Sequence, residues 1–224
     1  AIESAQLYSN SPVHTLVRIF HGKKAGPTLL ICAAIHGDEL NGIETIRRID
    51  KEIDVTELGG TVIAVPIVNQ LGFIQRSRYL PDRRDLNRSF PGSETGSLAA
   101  RTAMHFNNVL LHHASHIIDL HTAAIHRTNL PQIRTDISDP ENLAMAKAFG
   151  LPVVLNSDLI DGSLRYTACA QGKHAITLEA GEALRFNEDA ISAGVVGIKN
   201  VMAYLNMTPQ EAAPEQINPT IANS

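Results

Sequence analysis

Short apolar runs alternate along the chain with stretches whose apolar positions fall at helical spacing. That pattern predicts an α/β fold, a mostly parallel or mixed central sheet flanked by helices. Residues 28–35 (TLLICAAI) read as a strand buried on both faces, introduced by the turn pair Gly26-Pro27. A helix is expected over residues 39–53, where Ile43, Ile46, Ile49 and Ile53 recur at helical intervals. Residues 61–68 are the next expected strand, and Pro66 marks where its pairing runs out. Residues 69–96 are arginine-rich and lack periodicity, and such a stretch inside a compact domain is usually functional or disordered. Beyond it, residues 97–111 predict a helix, 116–120 a strand, and 141–149 a helix stopped by Gly150. Residues 152–155 and 175–178 read as further strands and 190–205 as a last helix. After Met207 the chain turns to Pro, Ala, Gln and Asn without apolar periodicity. Residues 1–207 are therefore expected to form the working domain and 208–224 a linker or tail.

Composition narrows the function classes. With 224 residues, 44% hydrophobic and 19% charged, the chain is long enough for one domain with its own core. A net charge of −4, no Trp and 4% aromatic residues offer nothing to a nucleic acid, which is not expected as a partner. No apolar run approaches the ~20 residues that span a bilayer, so no membrane partner is expected either. Residues 1–10 lack the basic and apolar regions of a signal peptide, and a cytoplasmic location is expected. Cys32 and Cys169 each lie in an apolar run and read as reduced, buried thiols rather than a disulfide.

Candidate chemistry sits at strand ends. His36-Gly37-Asp38-Glu39 follows the first buried strand at the mouth of a helix. On a helical turn, positions i and i+3 share a face, so His36 and Glu39 can meet one metal ion. A capping Asp38 and a surface Glu39 would explain the same string. His121, in Asp119-Leu120-His121-Thr122, occupies the same kind of position after a second apolar run. Two His and one Glu leave a tetrahedral zinc one open place for water, as a catalytic site requires. Glu179 ends a third run, where an unused carboxylate is costly. Beside zinc it reads as a general base, and otherwise as the partner of an Arg. The run Arg76-Ser77-Arg78 through Arg83-Arg84-Asp85-Leu86-Asn87-Arg88 supplies guanidinium forks for carboxylates, Arg78 and Arg88 being the favoured ones. His126 and Asn129 either line the pocket or belong to a surface loop. His112, His113 and His116 read as solvated.

These residues together resemble the succinylglutamate desuccinylase/aspartoacylase family, relatives of the zinc carboxypeptidases. The resemblance rests on HGDE (36–39), DLNRSFPG (85–92), DLHT (119–122) and LEAG (178–181), and spans residues 28–205. It implies a carboxypeptidase-like fold, one Zn2+ held by His36, Glu39 and His121, and Glu179 as the catalytic base. It also implies that Arg78 stabilises the oxyanion, that Asn87 and Arg88 grip the substrate α-carboxylate, and that Arg165 is a second carboxylate-binding residue. The resemblance also implies a β-rich carboxyl-terminal domain not included in these 224 residues, towards which residues 208–224 are expected to lead. The function so implied is removal of an acyl group from a small anionic N-acyl amino acid, succinylglutamate- or N-acetylaspartate-like. The alternative is a metallocarboxypeptidase acting on peptide termini, which needs the same ligands and the same carboxylate clamp. A non-catalytic zinc-binding module is disfavoured by Glu179, since binding alone needs no base.

Overall fold

The apolar runs assemble into one sheet with helices on both faces. The computed structural model describes residues 1–6, 12–209 and 218–223, and the elements named below belong to these residues. The strands are β1 (Ile2–Gln6), β2 (Pro12–Thr15), β3 (Arg18–His21), β4 (Lys24–Ala33), β5 (Gly59–Val65), β6 (His116–Ala123), β7 (Asn129–Thr135), β8 (Val153–Asn156), β9 (His174–Glu182) and β10 (Thr220–Asn223). The helices are α1 (Asn41–Glu52), α2 (Gln70–Gln75), α3 (Leu98–Val109), α4 (Pro140–Phe149), α5 (Leu164–Ala170) and α6 (Glu188–Tyr204). β1 and β2 form a separate antiparallel pair. The other eight strands form a mixed sheet in the order β10-β8-β7-β9-β6-β4-β5-β3, antiparallel only where β7 meets β9 and β3 meets β5.

Alternation along the strands divides the core. Leu29, Ile31 and Ala33 of β4 pack with Ile46 and Ile49 of α1 and Ile198 and Val201 of α6. Leu30 and Cys32 point the other way, towards Ala103 and Phe106 of α3 and Leu164 and Ala168 of α5. A strand buried on both faces has no need of polar alternation, which is why β4 reads as a continuous apolar run. Full burial of each such Leu or Ile contributes about 1.5–3 kcal/mol.

Several boundaries differ from the sequence reading, for identifiable reasons. Gly26-Pro27 lies inside β4, at a register irregularity between Lys24 and Thr28, so it makes a bulge and not a preceding turn. α1 begins at Asn41 without a side-chain cap, so Asp38 is not its capping residue. β6 and β9 run past the expected ends, and His121 and Glu179 therefore lie within strands. β7 went unforeseen because NLPQIRT is polar and carries a proline. Thr220–Asn223, in the expected tail, pairs with β8 through backbone bonds that need no apolar pattern, while residues 210–217 and 224 of that tail lie outside the described residues. Gly150 ends α4 in the left-handed region (φ 85°), as expected.

At the sheet edge opposite the site, His116 is not solvated. Its ring stacks at 5.3 Å on His174, its Nε2 lies 3.6 Å from Glu141 of α4, and its Nδ1 lies 2.9 Å from Ser115 Oγ. His174 in turn bonds Asp139, the cap of α4, at 3.0 Å. Burial, and then the His174 charge, hold the His116 imidazole below its ordinary value despite Glu141 and Asp139. The unfolded chain thus takes up a proton more readily than the folded one. Stability from this group is present above about pH 6.5 and is lost as pH falls below it. His116→Gln is expected to lose less stability than wild type between pH 8 and pH 5 in denaturant melts; an identical pH dependence would refute the assignment.

Candidate active site

The His36-to-Glu39 segment is a turn, not the first turn of α1. Glu39 N donates to His36 O at 3.2 Å, and this i-to-i+3 bond brings the two side chains together. Gly37 is required there because a Cβ would fall 2.0 Å from the backbone of Gly72 in α2. His36 Nδ1 lies 2.7 Å from Glu39 Oε1, and His121 Nδ1 lies 2.9 Å from Glu39 Oε2. The backbone N–H of Thr122 also donates to Glu39 Oε2, at 3.1 Å. His36, Glu39 and His121 are all buried, and their ligand atoms lie within 4.8 Å of one another. They are the one such group among the described residues.

Two carboxylates behind the histidines were not singled out from the sequence. Asp119 Oδ2 lies 2.8 Å from His121 Nε2, and Asp85 Oδ1 lies 3.1 Å from His36 Nε2. Each fixes a proton on Nε2 and leaves Nδ1 to turn towards a metal. For Asp119 the signal was available, since residues two apart on a strand share a face. The Cys32 thiol donates to the other oxygen of Asp119 at 3.5 Å, and burial pushes that thiol up so that it stays protonated.

Electrostatics fit a cation. Burial alone would raise Glu39, but the charges of His121 and His36 bring it to about 2. Burial opposes protonation of the imidazoles, yet Glu39 and Asp85 hold His36 above its usual value. Asp119 and Glu39 hold His121 well above it. A divalent ion held by these groups would take the place of protons on the imidazoles. The donor set, two imidazoles and a carboxylate with oriented outer partners, suits zinc.

Glu179 lies on β9 directly opposite His121 of β6. Its Oε2 accepts from Asn129 Nδ2 at 2.9 Å, which gives Asn129 a place at the site, while His126 is exposed. Burial raises the Glu179 carboxyl; His121 opposes this, Glu39 adds to it, and Arg134 and Asn129 again oppose it. Arg78 is half-buried, with Nη2 3.0 Å from Asp85 Oδ2 and Nη1 3.6 Å from Glu39 Oε1. Asn87 Oδ1 accepts from Leu164 N at 2.9 Å, and Phe90 N donates to Gly162 O at 2.9 Å, after which the Phe90-Pro91 bond is cis. Gly162 (φ 77°) is needed because a Cβ would meet Arg88 O at 2.7 Å. These contacts stitch the DLNR segment to the start of α5. Arg88 is exposed, with Nη1 donating to Asn87 O at 2.6 Å. Arg165 Nη1 and Nη2 donate to the carbonyls of Ser157 (3.0 Å) and Asp158 (2.9 Å), so this guanidinium also braces the loop before α5. A cavity of about 320 Å³ lies away from the cluster, among Asp136, Asp139, Asn142, Tyr166 and Cys169.

Comparison with known proteins identifies the family. The succinylglutamate desuccinylase/aspartoacylase catalytic domain matches residues 25–205. The N-alpha-acetyl-L-2,4-diaminobutyric acid deacetylase of Halomonas elongata is 28% identical over 194 residues, 83% of this chain and 57% of the relative. The chain thus spans little more than half the length of that relative. A succinylglutamate desuccinylase/aspartoacylase structure from Rhodobacter sphaeroides superposes with a TM-score of 0.86 at 26% identity, over 97% of this chain and 68% of its own. The product-bound ectoine utilization protein EutE (DoeB) of Ruegeria pomeroyi gives 0.85 at 25% identity, over 98% and 68%. With the fold and four sequence elements in agreement, the chain belongs to the succinylglutamate desuccinylase/aspartoacylase family.

Proposed function

We propose that this chain is the catalytic part of a zinc-dependent amidohydrolase that removes the acyl group from a small N-acyl amino acid bearing a free carboxylate. The observation that carries the reading is the buried His36–Glu39–His121 cluster with Glu179 on the neighbouring strand, opposite His121. The deacetylase name of the Halomonas elongata relative supports the same substrate class. Bound by these residues, zinc would supply Lewis acidity to a water and to the acyl carbonyl. Glu179 accepts the proton of the water as its oxygen bonds to the carbonyl carbon. It then returns that proton to the amide nitrogen as the C–N bond breaks, leaving a carboxylic acid and an amine; the remaining acid proton passes to the amine to give carboxylate and ammonium. Arg78 faces the carbonyl oxygen as negative charge develops there, with Asp85 holding its guanidinium. Arg88 takes the α-carboxylate through its exposed guanidinium, and Asn87 assists with the amide nitrogen that its bond to Leu164 leaves free.

A metallocarboxypeptidase is the second reading, favoured by the exposed apolar rim of Ile125, Leu130 and Phe186 at the same sheet edge. A hydrolysis screen separates the two. The metal-loaded chain is expected to release amino acids from N-acetyl and N-succinyl substrates, to leave peptide carboxyl termini intact, and to stop when chelated. Cleavage of peptides alone would favour the peptidase, and turnover that survives complete removal of metal would overturn the zinc mechanism.

A further inference from the structure

β7 carries a cation that neither the fold nor the proposed chemistry has used. It runs antiparallel to β9, with Gln132 opposite Glu179, Ile133 opposite Leu178 and Arg134 opposite Thr177. Ile133 and Leu178 both lie in the core under α1 and α6. Alternation therefore sends Gln132 and Arg134 to the other face, the one bearing Glu179 and Thr177. Across the sheet this makes two rows, His121–Glu179–Gln132 at the site and Asp119–Thr177–Arg134 immediately beneath.

Arg134 is half-buried, and its Nε is buried without a hydrogen-bond partner. No carboxylate of the described residues comes within ion-pair distance of it. The other half-buried guanidinium groups among the described residues are satisfied: Arg78 by Asp85, Arg165 by two carbonyls, Arg48 by Glu44 and Glu188. A buried, unmatched donor on a cation is costly, and it is retained where an anionic ligand completes it. The charge of Arg134 also reaches Glu179 and Arg165. A guanidinium with an unmatched donor favours an anionic ligand, and its planar fork suits a carboxylate.

We propose that Arg134 binds a carboxylate of the substrate beneath Glu179, on the reading of this site as an N-acyl amino acid hydrolase. Gln132, beside the base, offers an amide donor to the same ligand. The carboxylate is either the α-carboxylate of the amino acid or the distal one of a dicarboxylic acyl group.

Arg134→Gln and Arg134→Lys, loaded with zinc, test this against three substrates: an N-acetyl amino acid, an N-succinyl amino acid amide, and an N-acetyl amino acid amide. KM is expected to rise on the order of ten- to a hundred-fold on one carboxylate-bearing substrate, the range for loss of a charged hydrogen bond. kcat should stay within a few-fold, and the substrate with no carboxylate should be unaffected. The substrate that suffers identifies the source of the carboxylate, and Arg134→Lys should show the same selectivity with a smaller loss. Calorimetric titration with succinate reads the anion site without turnover, and its binding should weaken in step. A wild type that hydrolyses none of the three, yet binds succinate through Arg134, keeps the anion site and removes the hydrolase reading. Unchanged KM and unchanged succinate binding, or equal losses on all three substrates, would overturn the proposal.

Discussion

Replacing Glu179 by Gln is expected to lower kcat by roughly two to four orders of magnitude, the usual worth of a positioned general base. Gln is nearly isosteric and can still receive the Asn129 amide at its carbonyl oxygen, so the local hydrogen bond survives. What it cannot do is take a proton from water and hand it to the leaving nitrogen. KM should change little, because the arginines that face the substrate are untouched. Metal content should stay at the wild-type level, since His36, Glu39 and His121 form the buried cluster without Glu179. Kinetics on an N-acyl amino acid, with metal analysis of the same preparation, decide the matter. A variant that loses zinc in proportion to its activity would make Glu179 a ligand. A kcat within a few-fold of wild type would remove it from the mechanism.

His121→Ala is expected to abolish stable metal binding and, with it, turnover. Wild type should carry about one zinc per chain, as a three-ligand catalytic site implies. The His121 ring sits between Asp119 and Glu39, at 2.8 and 2.9 Å, so its removal deletes a proposed ligand and also strands two buried carboxylates. Asp119→Asn separates these effects. It keeps the ligand but changes the group that fixes its tautomer, and should weaken zinc about ten- to a hundred-fold without abolishing binding. Competition with a chromogenic chelator gives both affinities. Full zinc retention in His121→Ala would show that the ligands are misassigned, and Asp119→Asn as severe as His121→Ala would make Asp119 more than an orienting partner.

The residues proposed to carry the chemistry are legible because each belongs to a short string with its own physical logic. An apolar run ending in a His or a Glu is hard to explain by packing, and three such runs named His36, Glu39, His121 and Glu179 before any geometry was known. The α/β class was legible for a related reason. β4, β6 and β9 are covered on both faces, so each carries an unbroken apolar stretch that stands out from the helices between them.

Less visible were the partners brought in from other parts of the chain. Asp85 reaches His36 across 49 positions, and Asn129 reaches Glu179 across 50. In the sequence, Asp85 is one member of an arginine-rich run, and Asn129 stands undecided between pocket and surface loop. β7, which carries Asn129, Gln132 and Arg134 to the site, has a polar sequence because it is a short strand with a proline and one apolar side. Even the His36–Glu39 pairing, correct in outcome, arises from a tight turn against Gly72 and not from a helix face. Local sequence determined which groups are chemically costly to bury, because that cost is a property of the residue and its immediate run. Which group answers each of them was decided only by the tertiary structure, because hydrogen bonds and charges act across a few ångströms of space regardless of separation along the chain.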